Sequence, residues 1–245
     1  MALPKISLPT YEMNLPSTGE LVAFRPFLVK EEKILMMAME SNEEAQILRS
    51  IKQIINNCLV ESESTLQVDK LPMFDIEYFF LRLRAKSIGE TIDVTVMHPN
   101  GSNEKGETCI GQQQLKINVD DIGVTMPEDV SGTIMLTDEV GIRLRYATTD
   151  DLSAAQKKKT EFDTLMALMM SCTEQIFDND EVTSRSDMNN KELEEFLLTL
   201  NTDQFRKISG FFENTPKVEH EVSWTCPECG EVSNTKLAGL ADFFG

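Results

Sequence analysis

LPMFDIEYFFLRLRAKSIGE, Leu71 to Glu90, is the stretch on which the reading of the fold turns. Pro72 can open a helix, and Asp75 sets an anion in its first turn. Arg82, Arg84 and Lys86 lie toward its end, where cations suit the helix dipole. Gly89 is placed to stop it. Ile76, Phe79, Phe80 and Leu83 recur at helical spacing, and Tyr78 and Leu81 widen the apolar face well beyond a stripe. A helix apolar on most sides is covered by several elements at once, so this stretch reads as the central helix of an N-terminal domain, with its aromatics in the core.

Toward the N-terminus, Tyr11, Met13 and Leu15 alternate with Glu12 and Asn14. After Pro16-Ser17-Thr18-Gly19 comes a second run, Leu21 to Phe24, which predicts a hairpin closed by Pro26. Glu31 to Met39 reads as a short helix, and Ser41-Asn42-Glu43-Glu44 as a capping box opening the next. Leu48, Ile51, Ile55 and Cys58 share a face of that second helix, which makes Cys58 a small buried hydrophobe. Ser62 to Asp69 is a polar connection.

Toward the C-terminus the period changes. From Ile88 to Tyr146 the alternating runs Ile92-Val94-Val96, Leu115-Ile117-Val119, Ile134 to Leu136 and Ile142 to Leu144 predict a small antiparallel module of about four strands. A long helix is expected from Asp150 to about Phe177, with Lys157-Lys158-Lys159 as a solvated turn and Asp178 to Asn190 as a linker. Two short amphipathic helices follow, around Leu193–Leu200 and Phe205–Phe212, the second capped by Asn201. Val218, His220, Val222 and Trp224 then alternate with polar residues up to a CPxCG turn, and the chain closes on GLADFF. The expected class is α+β: mainly helical N- and C-terminal parts, an inserted antiparallel β module, and a C-terminal β-hairpin carrying a CPxCG knuckle. The expected segments are 1–87, 88–148, 149–216 and 217–245.

At 245 residues the chain can build a core without staples. Its net charge of -18 opposes binding to nucleic-acid backbones and to anionic membrane surfaces. No apolar run approaches the roughly 20 residues of a membrane span, and the opening MALPKISLPTYEM lacks the apolar stretch of a signal peptide. Five cysteines, an odd number, do not form a disulfide framework, so the chain is expected to be cytosolic when made.

Cys226-Pro227-Glu228-Cys229-Gly230 is the sharpest local signal: two thiols at C-x-x-C spacing on a tight turn make half of a tetrahedral zinc site. His220 is no partner, because six residues of extended strand put it roughly 20 Å from Cys226. The rest of such a site would have to come from Cys58, Cys109, Cys172 or a second chain. His98 and Cys109 by themselves make no metal site. A thioredoxin-type role is disfavoured because the motif lies between strands rather than before a helix. The chain lacks G-x-S-x-G, H-E-x-x-H, Walker A and G-x-G-x-x-G motifs and has two histidines, so no catalytic residues are assigned. Met36, Met37 and Met39, and Met166, Met169 and Met170, concentrate adaptable side chains on two helices. With Phe243 and Phe244 at the C-terminus, Met166, Met169 and Met170 are candidate partner-binding residues, set against a reading of all of them as core.

The strings Pro9–Glu40, Ser50–Cys58 and Leu71–Glu90, together with Lys191–Val222 and the closing GLADFF, resemble the T4-type bacteriophage baseplate protein family. The resemblance covers nearly the whole chain. It implies a non-enzymatic phage tail protein acting in assembly of the baseplate hub inside the infected bacterium, as an assembly factor or chaperone for hub or tape-measure proteins. Implied partners are other baseplate hub and tail proteins, with no nucleic acid and no membrane, and the implied location is the host cytoplasm. A permanent hub subunit of the virion baseplate is the alternative within the family. A zinc-ribbon regulatory adaptor is the alternative from another class.

Overall fold

A computed structural model describes residues 7–244 except 42, 61–65, 99–100, 104, 128–131 and 179–180; the side chains of Glu44, Ala241 and Phe244 also lie outside the described residues. Parts of the connection at 62–69, the loop after His98 and the linker at 178–190 fall in those gaps. The chain is α+β. Its elements run β1 (Tyr11–Asn14), β2 (Leu21–Phe24), α1 (Val29–Glu40), α2 (Glu44–Cys58), α3 (Met73–Ser87), β3 (Thr91–Met97), β4 (Gln112–Asn118), β5 (Gly123–Thr125), β6 (Thr133–Met135) and β7 (Val140–Leu144). They continue with α4 (Thr149–Ala155), α5 (Glu161–Cys172), β8 (Thr173–Asp178), β9 (Glu181–Ser184), α6 (Asn190–Leu198), α7 (Thr202–Glu213), β10 (Lys217–Thr225), β11 (Val232–Ala238) and α8 (Gly239–Phe244). Two compact units result: residues 1–68, 74–125 and 217–245 form one, and residues 69–73 and 126–216 form the other.

In the first unit α3 is the buried element. Phe74, Ile76, Phe79, Phe80, Leu81, Leu83 and Ala85 are all shielded from solvent. The β1–β2 hairpin lies against it, with the Phe24 ring tilted against that of Phe79, centroids 5.4 Å apart. Four polar groups on α3 are tied to four different segments. Ser17, in the hairpin turn, donates its backbone N–H (3.0 Å) and its hydroxyl to the Asp75 carboxylate. Arg82 donates to the carbonyls of Val119 and Ile122 (both 2.9 Å) and pairs with Asp120 at 2.6 Å. The Ser87 hydroxyl accepts the Phe27 N–H at 2.9 Å, and Glu77 accepts a backbone N–H from Leu240 of α8.

Among the described residues the β strands of this unit form three small antiparallel sheets. β3 pairs with β4 along seven residues, burying Ile92, Val94 and Val96. β10 lies between β11 and β5, with Lys217 opposite Thr125. Ser41, expected to open a capping box, instead ends α1: its hydroxyl donates to the Ala38 carbonyl at 2.6 Å and accepts the Glu43 N–H at 3.3 Å. Glu43 precedes α2 without a side-chain cap.

The second unit packs α5, α6 and α7 on the sheet β6-β7-β8-β9. Its core holds Ile142, Leu144, Met169, Leu193, Leu197, Ile208 and Phe211. Asn189 and Asn201 cap α6 and α7, each accepting from the backbone within the first turn.

Three expectations are corrected. The four strands between Ile88 and Tyr146 are not one module: β3 and β4 belong to the first unit, whereas β6 and β7 pair into the sheet of the second. The single helix from Asp150 to Phe177 is two helices and a strand. Thr160 accepts the Asp163 N–H at 3.0 Å and so starts a new helix, leaving Lys157, Lys158 and Lys159 exposed before it. After Cys172 the β-branched Thr173 and Ile176 pair with β7 instead, Ile176 opposite Ile142. The linker at 178–190 contains β9 and a short 3-10 turn at Arg185–Asp187.

Burial raises two acids on α3 despite their hydrogen bonds: Asp75 to about 6 and Glu77 to about 7. A carboxyl raised on folding contributes stability that is complete below its unfolded value and is lost as pH rises through its folded value. Glu77→Gln keeps the acceptor for Leu240 and removes the buried charge. In urea unfolding it should match the parent at pH 5 and exceed it at pH 8 by about 1–2 kcal/mol. An unchanged difference across that range would exclude Glu77 as a source of pH dependence.

Candidate metal centre

Alternation along two strands brings the chemistry together. Ile92, Val94 and Val96 face inward on β3, and His98 follows in the same phase, only 2% exposed. Val222 and Trp224 face inward on β10, and Cys226 follows in phase, 1% exposed. Cys109 arrives by a tight return of the β3–β4 loop. Ser102 bridges Thr108, and the Cys109 N–H donates to the Gly101 carbonyl at 2.8 Å. Cys229 stands on the turn after β10, closed by Cys226 N–H to Glu231 carbonyl (2.8 Å) and Gly230 N–H to Cys226 carbonyl (2.9 Å). Gly230 takes φ +74° there, a left-handed conformation that a side chain would strain.

The four ligand atoms, His98 Nε2 and the sulfurs of Cys109, Cys226 and Cys229, all lie within 4.8 Å of one another. The Cys109 and Cys226 sulfurs are 3.6 Å apart, and Cys229 Sγ is 3.3 Å from His98 Nε2. His98 Nδ1 meets the buried Ser233 hydroxyl at 3.2 Å, and the His98 ring lies 5.0 Å from the Trp224 ring. With the proton on Nδ1, donated to Ser233, Nε2 turns its lone pair into the cluster. Lys105 pairs with Glu231 at 2.5 Å, a second tie between the loop and the β10–β11 turn.

The electrostatics separate the thiols. Burial raises Cys226, but the backbone N–H groups of Cys229 and Glu228 and the neighbouring thiols more than offset it, and the group falls to about 6. The Gly111 N–H lowers Cys109, yet burial and the adjoining sulfurs carry it up to about 11. The arrangement therefore favours a thiolate at Cys226 in a cluster of soft donors, a set that could hold a metal ion.

Cys226 and Cys229 come together as the C-x-x-C spacing indicates, joined by Cys109 and by His98. The pair dismissed on sequence thus supplies two of the four donors. The overlooked signal is phase: His98 continues the inward positions of β3. His220 sits mid-strand opposite Leu237, outside the cluster. Cys58 and Cys172 are buried elsewhere, each thiol raised to about 11 chiefly by burial. Among the candidate partner-binding residues, Met166 and Met169 lie in the second unit's core with Met170 packed against it, and Phe243 is 2% exposed. The Phe244 side chain lies outside the described residues.

A sequence profile described as T4 bacteriophage base plate protein matches residues 8–245. The chain is similar to baseplate hub assembly protein gp26 of Enterobacteria phage T4, 25% identical over 235 residues, covering 96% of this chain and 97% of that protein. No solved structure matches the chain.

Gly111 marks how closely the two loops approach. A Cβ there would stand 2.4 Å from the Cys226 sulfur and 3.2 Å from Glu228 Cβ. Gly111→Ala must push the β10–β11 turn away, a local cost of about 1–3 kcal/mol that should speed maleimide labelling of metal-free Cys226 roughly five- to hundredfold. Equal labelling rates would show that the loops are not in contact.

Proposed function

The chain belongs to the T4 bacteriophage base plate protein family, and from that premise we propose that it acts in assembly of the phage baseplate hub as a non-enzymatic factor. The observation that carries this reading is the end-to-end similarity to a hub assembly protein, 96% of one chain against 97% of the other. Among the described residues no helix is long and apolar enough to cross a membrane. The reading places its work in the host cytoplasm, with other hub and tail proteins as partners, the tape-measure protein among them.

The fold supports a holding role. On α1, Val29, Met36, Met37 and Met39 are 80%, 58%, 59% and 43% exposed, while Glu31 and Ala38 are buried. That leaves methionines uncovered on a face they share with the exposed Lys33 and Glu40, on a protein of net charge -18. Methionine adapts to irregular apolar partners, and the surrounding charge keeps the uncovered face soluble. We place the held partner segment on this face.

Disruption of the gene should leave infected cells without complete hubs, and proteomics of purified virions should find the chain absent or far below hub stoichiometry. Stoichiometric recovery would instead make it a permanent hub subunit, and normal tails from phage lacking it would end the assembly reading altogether. Met36→Lys with Met37→Lys leaves buried positions untouched. It should shift thermal unfolding little while lowering complementation of the disrupted phage at least roughly tenfold. Full complementation would move the partner surface elsewhere.

A further inference from the structure

We propose that His98, Cys109, Cys226 and Cys229 bind one Zn²⁺ ion as a structural centre, and that this ion fastens the β10–β11 hairpin to the β3–β4 loop. The inference stands apart from the assembly role, since it rests on the donor set alone.

The spacing suits a tetrahedral site. Zn–S bonds of about 2.3 Å and a Zn–N bond of about 2.0–2.1 Å, at tetrahedral angles, put ligand atoms about 3.5–3.8 Å apart. Here the sulfur–sulfur separation is 3.6 Å and the sulfur–nitrogen separation 3.3 Å, with all four atoms within 4.8 Å. Three thiols and an imidazole are a borderline-soft set suited to zinc, whereas magnesium and calcium take oxygen ligands. Four protein donors leave no open coordination position, the mark of a structural rather than a catalytic zinc.

The shell around the donors is built for the same purpose. Ser233 fixes the His98 ring through Nδ1, so that Nε2 is the nitrogen presented. Backbone N–H groups of Glu228 and Cys229 point at the Cys226 sulfur, and that of Gly111 at the Cys109 sulfur. Gly111 leaves the room that a Cβ would take from Cys226. These contacts join segments far apart in the sequence: Cys109 and Cys226 are 117 residues apart, and His98 and Cys229 are 131. An ion held by both ends closes a long loop in the chain, and its binding energy becomes folding energy for the hairpin. The chain's one tryptophan, Trp224, lies beside His98 and reports on the site directly.

The test uses the full chain, expressed in zinc-supplemented medium and purified without chelator. Elemental analysis should return one zinc per chain. Cobalt exchanged into the site should give the strong visible absorption and thiolate charge-transfer bands of tetrahedral thiolate coordination. Removal of zinc should change Trp224 fluorescence, and adding Zn²⁺ back should restore it. Cys226→Ser should lose at least roughly nine-tenths of the metal. Cys58→Ser and Cys172→Ser, neither of them a member of the cluster, should keep it. Because Cys226→Ser can also unfold the hairpin, His98→Cys supplies the independent arm: it converts the set to four thiols and should still bind one cobalt, with a spectrum shifted toward all-sulfur coordination, whereas His98→Ala should not. The proposal is overturned by wild-type protein carrying iron or no stoichiometric metal, by an octahedral cobalt spectrum, or by a Cys109–Cys226 disulfide in protein purified under reducing conditions. It is equally overturned if Cys58→Ser loses as much metal as Cys226→Ser.

Discussion

A helix that is apolar on nearly every side cannot be left with any face in water, and α3 imposes that condition on the whole first unit. Burying one large side chain is worth about 1.5–3 kcal/mol, so covering Phe74, Ile76, Phe79, Phe80, Leu81 and Leu83 outweighs any single surface interaction in the unit. Apolar burial has no direction, however, and would accept many covers. The polar groups on the helix narrow the choice. Asp75 needs the Ser17 turn, Arg82 the carbonyls at Val119 and Ile122, Ser87 the Phe27 amide, and Glu77 the Leu240 amide. Each partner lies on a different segment, and each buried group left unmatched would cost about 1–3 kcal/mol. The order of segments around α3 thus follows from its few polar side chains.

The same arrangement produces the metal-binding geometry. β3 leaves α3 through Gly89 and carries His98 at its far end. β10 pairs with β5 near its start and carries Cys226 just past its end. α8 closes the chain back on β3, β10 and β11. Once the near ends of these elements are held by hydrophobic burial, the far ends carry the loops that hold the donors. Two thiols, a histidine and a further cysteine meet there, where side chains alone would bury too little area to order the turn.

Much of this could be read from the residues, and what could not follows from pairing across the chain. The central helix, the β1–β2 hairpin, the C-terminal alternation and the cap at Asn201 are local patterns, each decided within about ten residues. Ile176 is different. It sits four residues after Cys172, so helical spacing accommodates it, and only the presence of β7 opposite makes Thr173–Asp178 a strand. Likewise nothing local tells β3 and β4 from β6 and β7, which resemble one another in pattern but serve separate units. His98 was legible in part: its phase on β3 marks it as inward-facing, but its distance of 131 residues from Cys229 hides the partner.

The methionines show how burial separates two meanings of one composition. Met166 and Met169 fill the second unit's core between α5 and its neighbours, where an unbranched side chain takes up irregular space. Met36 and Met37 have the same chemistry but more than half of each is in water. α1 is anchored by the other side: Glu31 is fully buried and held by Arg25, Lys30 and the Leu28 amide, and these partners outweigh the burial that would raise it. A buried ion pair of that kind fixes orientation better than it adds stability. Here it fixes which side of α1 faces inward, and so leaves Met36 and Met37 outward. An apolar surface kept exposed by a specific internal contact differs from one left over by loose packing, and it is the former that a partner can rely on finding.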